Sequence, residues 1–344
     1  MRQDSRIFVA GHKGLVGSAI VEVLQQQNYQ NLITKDRKEL DLCDFKAVEQ
    51  FFKTQEIDAV FLCAAKVGGI LANNTFRADF IYENLAIANN VIFNAYKFGV
   101  KKLLFLGSSC IYPKNAPQPM SEEALLTSEL EYTNEPYAIA KIAGLKLAES
   151  FALQYNCNFL SVMPTNLYGN NDNFDLYNSH VLPALIRKMF LAKCLENGEI
   201  NRIEQNLGEN YTQILHEFGI SKDSVRIWGS GNVRREFLHA LDMARACVFI
   251  MQNVNFSDLK EGKSEVRNTH INIGSGSDIS IRELAKLVKK VADFSGELEF
   301  DSTKPDGTRQ KLLDISKLTK LGFTPQIPLE SGIKSVYENY EARF

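Results

Sequence analysis

Residues 6–27 read RIFVAGHKGLVGSAIVEVLQQQ, and this stretch decides the fold. The run RIFVAG at 6–11 is apolar and ends in glycine, and apolar residues then recur at helical spacing through 14–27. Gly11, Gly14 and Gly17 occupy the junction between the two patterns. The stretch therefore predicts a buried strand followed directly by a helix, with a tight glycine turn between them.

The same strand and helix pattern recurs along the first half of the chain. Further strands are predicted at 31–34 (NLIT), 59–65 (AVFLCAA), 102–109 (KLLFLGSS) and 158–165 (NFLSVMPT), with helical patterns at about 45–54, 77–98 and 136–155. Strands that are apolar on both faces belong inside a parallel sheet covered by helices. The predicted fold class is α/β, a doubly wound parallel sheet of the Rossmann type with a smaller C-terminal substrate-binding domain.

The chain changes character after Thr165, because 166–180 is rich in Asn and Asp and too polar for another buried strand. We predict a dinucleotide-binding domain over 1–165, rejoined by about 232–272. A substrate-binding region is predicted over 166–231 and 273–344. The segment at about 196–223 is charged and carries one short amphipathic stretch, YTQILHEF, so we interpret it as a surface insertion.

Composition excludes several classes of protein. The chain has 344 residues, 45% hydrophobic content and a formal charge of -2, which allows a large core and gives no basic field for nucleic acid. No 18-residue apolar run predicts a membrane span, and strand-like sequence begins too early for a signal peptide, so we expect a cytoplasmic protein. The 6 cysteines are scattered without a CxxC pair, so neither a disulfide scaffold nor a metal site is expected.

The glycine turn predicts a dinucleotide site. Glycines at such a junction allow a tight turn, close approach of the backbone to a pyrophosphate and close packing of helix on strand, while the helix N-terminus supplies N–H donors. A glycine pattern alone also fits an ordinary turn. Its position between the first strand and the first helix favours the cofactor.

Charges after the second strand favour NADP(H) over NAD. Lys35, Asp36 and Arg37 lie there, and Lys13 lies in the glycine turn. A cation at this place accommodates a 2'-phosphate, whereas an acid reads the free ribose hydroxyl. Because Asp36 could bind the ribose hydroxyl, NAD stays an alternative cofactor. These charges could also belong to a solvated surface turn without a role in cofactor binding.

The stretch NEPYAIAKIAG at 134–144 carries Tyr137 and Lys141, which a helix places on one face. An ammonium beside a phenol favours phenolate, so we predict that Lys141 lowers the pKa of Tyr137 toward neutrality and suits it for proton transfer. Ser108, at the predicted carboxyl end of the fourth strand, would polarise the same substrate oxygen. A surface Tyr and Lys pair is the plain alternative, which the upstream glycine turn and Ser108 disfavour.

These residues and the blocks of sequence around them resemble a known family, the GDP-L-fucose synthases. This family belongs to the extended short-chain dehydrogenases that act on nucleotide sugars. The glycine spacing GxxGxxG is one that those dehydrogenases share. The matching blocks run in order over nearly the whole chain: AGHKGLVGSAI, AAKVGGILANN, ADFIYEN, KLLFLGSSCIYPK, NEPYAIAKIAGLKLAES, SVMPTNLYGNNDNF, NSHVLPAL, WGSGNVRREFLH and TKPDGTRQKLLD.

The resemblance implies roles for individual residues. Reduction would fall on Ser108, Tyr137 and Lys141, and epimerisation on Cys110 and His180. The implied cofactor contacts are Gly11, Lys13, Gly14, Leu15, Val16, Gly17, Arg37, Ala64, Ala65, Asn84, Lys141, Pro164, Asn166 and Leu167. The implied substrate contacts are Asn166, Val181, Lys188, Trp228, Arg235 and Lys304.

The implied activity is reduction of the C4 ketone of a GDP-linked 4-keto sugar by NADPH, after inversion at C3 and C5. Each inversion takes a proton from one face and returns one to the other, so two proton carriers are required. The unperturbed pKa values of cysteine and histidine, about 8.5 and 6.5, suit that work. The family also implies a homodimer.

Three departures from the family pattern leave the choice of substrate open. Lys188 and Lys13 stand where arginine is usual, and lysine meets a phosphate as a point charge without a bidentate fork. The insertion at 196–223 lies between two substrate-binding segments. The alternative activity is C4 reduction of a GDP-4-keto-heptose with or without epimerisation, and a non-catalytic NADP-binding protein is a third, less favoured hypothesis.

Overall fold

A computed structural model of the chain describes residues 1–260, 262, 264–304 and 306–344. The strands are β1 (Ile7–Ala10), β2 (Leu32–Ile33), β3 (Ala59–Leu62), β4 (Lys102–Leu106), β5 (Phe159–Pro164), β6 (Asn166–Tyr168), β7 (Ser224–Trp228), β8 (Arg234–His239), β9 (Ile271–Ile273), β10 (Asp278–Ser280), β11 (Glu297–Asp301) and β12 (Gln310–Lys311). The helices are α1 (Leu15–Gln26), α2 (Phe45–Thr54), α3 (Ile70–Thr75), α4 (Arg77–Lys97), α5 (Glu135–Tyr155), α6 (Val181–Asn197), α7 (Ile200–Leu207), α8 (Tyr211–Phe218), α9 (Ala240–Asn253), α10 (Phe256–Lys260), α11 (Ile281–Val291), α12 (Ser316–Lys320) and α13 (Leu329–Glu341).

Six strands form one parallel sheet in the order β2-β1-β3-β4-β5-β9. β1, β3 and β4 are buried along their whole length, as apolar strands covered on both faces must be. The strand order reverses between β1 and β3, and ligands of open α/β sheets bind outside the carboxyl ends of the strands at such a reversal. The predicted doubly wound parallel sheet is confirmed.

Helices cover both faces of this sheet. One core cluster packs α1 and α9 against one face, and a second packs α2, α4 and α5 against the other. Among the described residues, no helix combines the length and apolar content needed to cross a membrane.

The rest of the chain builds a smaller set of sheets around a third core. β8 lies between β10 and β12 and also pairs with β6, while β7 pairs with β11. A third core cluster joins α6, α11, α13 and the two helices of the 196–223 segment, α7 and α8. α8 covers the amphipathic stretch YTQILHEF, and α7 is a helix that the sequence pattern did not predict. The division into two domains at the predicted boundaries stays a prediction.

Candidate active site

The glycine turn lies at the reversal point of the sheet. Gly11 has φ +86°, and a Cβ built on it would lie 2.7 Å from the backbone N of Ala64, which follows β3. A Cβ on Gly17 would lie 2.1 Å from the carbonyl oxygen of Gly11. Only glycine fits both positions, because backbone atoms from two strands and a helix meet there.

The first turn of α1 leaves its N–H groups available at this crevice. Gly14 is the N-cap of α1, and no side chain caps its amides. A helix N-terminus of this kind binds a pyrophosphate through its N–H donors and its dipole. The glycine cradle and the uncapped helix therefore fit a dinucleotide, and the predicted contacts of Leu15 and Val16 in the first turn stay predictions.

Four charged side chains form two ion pairs beside this crevice. Lys13 Nζ lies 2.8 Å from Asp36 Oδ2, and the other carboxylate oxygen of Asp36 accepts the backbone N–H groups of residues 38 and 39. Arg37 Nη1 lies 3.3 Å from Glu83 Oε2. The hydrogen bond from Lys13 lowers the pKa of Asp36 most, and its backbone bonds add to the effect. Asp36 is thus engaged on both oxygens, while Lys13 and Arg37 are surface cations whose partners an anionic ligand can replace.

Asn84 braces the loop that follows β3. Its Oδ1 accepts the backbone N–H of Lys66 at 3.1 Å, and its Nδ2 donates to the carbonyls of Lys66 and Phe80 at 3.0 and 2.7 Å. Both amide protons are therefore used within the protein. The structure gives Asn84 a positioning role for Ala64 and Ala65, and its predicted direct contact with a cofactor stays a prediction.

Ser108, Cys110 and Tyr137 share one pocket at the carboxyl end of β4. Ser108 Oγ accepts the backbone N–H of Cys110 at 3.3 Å and opens a short 3-10 turn, Ser109–Ile111. The Ser108 side chain lowers the pKa of both the Tyr137 phenol and the Cys110 thiol, because it favours their charged forms. Burial is the larger effect on each, so the pKa of both groups is raised. Both side chains are therefore protonated at neutral pH.

Lys141 completes this pocket in a different way from the one predicted. Its Nζ donates to the carbonyl of Leu106 at 2.8 Å and lies 5.7 Å from the centroid of the Tyr137 ring. Burial lowers the pKa of Lys141 to about 8. The prediction that the ammonium lowers the phenol pKa toward neutrality is wrong here, because desolvation of the phenol dominates. A protonated phenol is the form that a proton donor requires.

His180 lies at the N-cap of α6. Its side chain reaches solvent, yet the surrounding protein removes enough water to lower its pKa. The residues before it touch the loop after β3, since a Cβ built on Gly69 would lie 3.5 Å from the Asn178 carbonyl oxygen. That loop in turn packs on Phe80, whose ring lies 6.3 Å from the ring of Tyr137.

Arg235 and Lys311 are two half-buried cations that lie next to each other. β12 runs parallel to β8 with these two residues in register, so both side chains leave the same face. Burial lowers the pKa of Lys311, and the neighbouring charge of Arg235 lowers it further. Cys110 has the opposite effect, but the pKa is lowered overall. Among the described residues no carboxylate forms an ion pair with Arg235, whereas Arg234 is bound to Asp278 at 2.8 Å. Two adjacent cations that form no ion pair with a carboxylate in the described part of the chain suit a diphosphate.

The remaining predicted substrate contacts divide into two groups. Trp228 ends β7 with 59% of its surface exposed, and Lys304 Nζ lies 5.5 Å from its ring centroid. Lys188 is instead buried and donates to the carbonyls of Phe218 and Arg226 at 3.0 and 2.8 Å. These two hydrogen bonds give Lys188 a structural role. Its predicted contact with a phosphate stays a prediction. Asn166 likewise uses its Nδ2 on the Glu236 carbonyl at 2.9 Å.

A family model described as the NAD dependent epimerase/dehydratase family matches residues 7–274. The chain belongs to this family. Its glycine cradle, its Tyr137 and Lys141 pair and its sheet order all lie within the matched residues, and 275–344 adds β10, β11, β12 and the last helices to the family core.

Several relatives of this epimerase/dehydratase are similar over nearly their full length. The chain is 52% identical to GDP-L-fucose synthase 1 from Arabidopsis thaliana, over 98% of this chain and 94% of that protein. A solved GDP-6-OMe-4-keto-L-xylo-heptose reductase from C. jejuni is 48% identical, with a TM-score of 0.96 and coverage of 100% and 99%. A GDP-mannoheptose C4 reductase from Campylobacter jejuni with NADP bound is 48% identical, with a TM-score of 0.90 and coverage of 99% for both chains.

Sequence reasoning missed Lys311. Its only signal was a charged residue next to Leu312 and Leu313 in a short run that the pattern did not predict as a strand. The two-residue strand β12 is too short to be recognised by periodicity. Its pairing with β8 brings Lys311 beside Arg235, although the two residues are 76 positions apart in the sequence.

Proposed function

We propose that this epimerase/dehydratase is an NADPH-dependent oxidoreductase that reduces the C4 ketone of a GDP-linked 4-keto sugar and epimerises C3 and C5, as in GDP-L-fucose synthesis. The observation that carries the proposal is the pocket of Ser108, Cys110 and Tyr137 at the end of β4, close to the glycine crevice. One pocket thereby holds the groups for both a proton transfer to oxygen and a proton transfer at carbon.

NADP(H) is supported by the crevice and the charges next to it. The uncapped amides of Leu15 and Val16 would hold the pyrophosphate, and Lys13 and Arg37 would exchange their carboxylate partners for the 2'-phosphate. When bound, NADPH supplies the hydride. The GDP-mannoheptose C4 reductase from Campylobacter jejuni, solved with NADP bound, supports the same choice.

The reduction uses three residues of the chain. Tyr137, protonated because it is buried, donates its proton to the C4 oxygen as that oxygen gains charge. Ser108 hydrogen-bonds the same oxygen and stabilises its negative charge. Lys141 is held by the Leu106 carbonyl, and its positive charge stabilises the phenolate that remains on Tyr137.

The epimerisation uses two residues, one that accepts a proton and one that donates a proton. The lowered pKa of His180 leaves its imidazole neutral and able to accept a proton, while the raised pKa of Cys110 leaves a thiol able to donate one. The C4 ketone acidifies the neighbouring C–H bonds, and Ser108 and Tyr137 would stabilise the enolate oxygen. Removal on one face and return on the other inverts the carbon.

Arg235 and Lys311 would bind the diphosphate of the GDP-sugar through the half-buried face that they share. Trp228 and Lys304 form an exposed ring and cation pair at the end of β7, which suits a nucleoside base. Val181, the first residue of α6, would contact the nucleotide next to His180.

A homodimer in the cytoplasm, expected from the sequence, belongs to the same proposal. The dimer is supported by α4 and α5, on which Tyr82, Phe93, Ile139, Leu153 and Tyr155 are more than a third exposed. Apolar and aromatic residues grouped on two neighbouring helices are typical of a subunit interface. Light scattering on the purified chain should give twice the mass of 38.8 kDa, and a monomer would refute this part.

The proposed reaction is tested with GDP-4-keto-6-deoxy-D-mannose in deuterated water. Without NADPH, we expect deuterium at C3 and C5 by NMR, because enolisation exchanges those protons. With NADPH, we expect GDP-L-fucose with hydride at C4. NADPH oxidation without deuterium at C3 or C5 would remove the epimerase claim and leave the reductase.

A GDP-4-keto-heptose is the second candidate substrate. It is favoured by the two C. jejuni relatives, a heptose reductase and a mannoheptose C4 reductase whose structures match over nearly the full chain. Lys188, which stands where arginine is usual in the family, donates to the Phe218 carbonyl in the insertion and is not a free phosphate ligand. Comparing kcat/KM for the hexose and the heptose decides between them.

A further inference from the structure

The segment before His180 is held from outside by the 196–223 insertion. Arg187 Nη1 donates to the carbonyl of Phe174 at 3.2 Å, within that segment. The same guanidinium donates to the carbonyl and the side-chain oxygen of Asn206 at 2.9 and 2.8 Å, at the end of α7. Arg187 therefore joins the His180 segment to the first inserted helix.

Tyr177 makes a second connection, to the second inserted helix. Its hydroxyl donates to Glu217 Oε2 at 2.8 Å, and its ring lies edge-on to Phe218 with centroids 4.8 Å apart. Glu217 and Phe218 are the last two residues of α8. Tyr177 is otherwise 56% exposed, so these contacts, together with the turn that it belongs to, fix its position.

The end of α8 is itself a firm anchor. Phe218 is 4% exposed, and its carbonyl accepts a hydrogen bond from the buried ammonium of Lys188. Lys188 also donates to the Arg226 carbonyl on β7 and belongs to α6, the helix that His180 caps. The anchor and His180 are therefore tied to the same helix.

A compact turn connects Tyr177 with His180. Asp175 Oδ1 accepts the backbone N–H groups of Tyr177 and Asn178 at 3.1 and 2.9 Å, and the Asp175 carbonyl accepts that of Ser179 at 2.9 Å. Three consecutive amides thus converge on one residue. This turn ends directly before His180, so it joins the backbone of Tyr177 to that of His180.

We infer that Tyr177 and Glu217 are positioning residues for His180, and that the inserted helices set the place of this proton carrier against the sugar. The inference rests on the proposed epimerisation and deepens it. It assigns the insertion to the proton-transfer half of the reaction, since Ser108, Tyr137 and Lys141 lie on α5 and at the end of β4, outside the segment that the insertion holds.

The test uses Tyr177→Ala, Tyr177→Phe, Glu217→Gln and the double variant Tyr177→Phe/Glu217→Gln. Deuterium exchange at C3 and C5 of GDP-4-keto-6-deoxy-D-mannose should slow roughly tenfold in Tyr177→Ala, as small displacements of catalytic groups cost rate steeply. Tyr177→Phe should keep most of the exchange rate of the natural chain, because the ring that packs on Phe218 remains. The double variant should be no slower than Tyr177→Phe alone, since the phenylalanine has already removed the hydrogen bond to Glu217.

NADPH affinity, GDP affinity and the melting temperature should match those of the natural chain in each variant. Tyr211→Ala, at the opposite end of α8, controls for general loosening of the insertion and should leave the exchange rate unchanged. Unchanged exchange in Tyr177→Ala, or a loss that accompanies weaker GDP binding or unfolding, overturns the inference.

A second readout separates this inference from the proposed function. If the natural chain shows no exchange, the epimerase claim has failed, and the assignment of His180 as a proton carrier fails with it. NMR titration of His180, assigned through His180→Gln, still reports its position. Tyr177→Ala should move its pKa upward, toward the unperturbed value, as the ring gains water. An unmoved pKa would show that Tyr177 does not position His180.

Discussion

The ammonium of Lys141 is bonded to the carbonyl of Leu106 at 2.8 Å, so the last residue of β4 fixes the cation that faces Tyr137. The Leu106 carbonyl also marks the point where the strand gives way to Ser108. Helix α5 and the end of β4 are therefore joined at the site itself. The position of the phenol depends on this joint.

Activity should fall on the alkaline side as Lys141 loses its proton. Its pKa is lowered from 10.5 to about 8, so the ammonium is present below about pH 8 and lost above it. Because kcat/KM reports the free enzyme, a plot for NADPH should show a descending limb near this value. Lys141→Arg should remove the limb, since guanidinium stays protonated. The burial of Lys188 lowers its pKa to about 8 as well, so Lys188→Arg is the matched control, and a limb that disappears in that variant instead would contradict the assignment.

Preference for NADPH should depend on Lys13 and Arg37. Each is a surface cation near the glycine crevice, and each should contribute to binding the 2'-phosphate. Lys13→Ala and Arg37→Ala should each lower the ratio of kcat/KM for NADPH over NADH about tenfold, the effect of roughly 1.4 kcal/mol. Lys35→Ala removes a cation from the same turn that is paired with Glu39, and it should leave the ratio unchanged. An equal effect of all three would indicate a diffuse charge effect.

Gly17→Ala should destabilise the protein and weaken cofactor binding together. The new Cβ would lie 2.1 Å from the Gly11 carbonyl oxygen, so the backbone of the turn must move. We expect a loss of about 1–3 kcal/mol in the free energy of unfolding, as overpacked sites show. Gly14→Ala, whose Cβ meets the same oxygen at 3.4 Å, should unfold close to the natural chain in a thermal melt. Similar melts for both variants would refute the steric account.

Lys188→Met should reduce stability with little effect on GDP affinity. The ammonium satisfies the Phe218 and Arg226 carbonyls, and hydrogen bonds from charged groups contribute about 1.5–3 kcal/mol, part of which is offset by the cost of burying the charge. Chemical denaturation should therefore show a loss of about 1–2 kcal/mol. A strong loss of GDP affinity in calorimetry, with stability retained, would restore Lys188 as a phosphate contact.

Much of the fold could be predicted because its signals are local. The apolar runs at 59–65 and 102–109 contain β3 and β4, and the helical patterns at 45–54 and 136–155 coincide with α2 and α5 to within one residue. β9 escaped prediction because three residues carry no usable period. The sheet nevertheless needs β9 as its edge beside β5.

The sequence could name candidate residues for the site, but it could not predict their electrostatics. The spacing of Tyr137 and Lys141 predicted a shared face, but the free energy of removing the phenol from water depends on burial, which spacing does not reveal. The commitment of Lys188 to two carbonyls depends on a distant helix end, α8, and could not be inferred from its neighbours. The sequence was enough to predict which neighbouring side chains share a helix face. The burial of those side chains and their partners from distant parts of the chain could be seen only in the folded structure.

The most direct test of the central claim compares the natural chain with Tyr137→Phe in NADPH oxidation with GDP-4-keto-6-deoxy-D-mannose and, separately, a GDP-4-keto-heptose. The variant keeps the ring that packs on Phe80 and loses only the hydroxyl. We predict a loss of at least about 10²-fold in kcat on the better substrate, the contribution expected of a general acid, with NADPH affinity unchanged. Equal rates for the two proteins, or no oxidation by the natural chain with either sugar, would contradict the account.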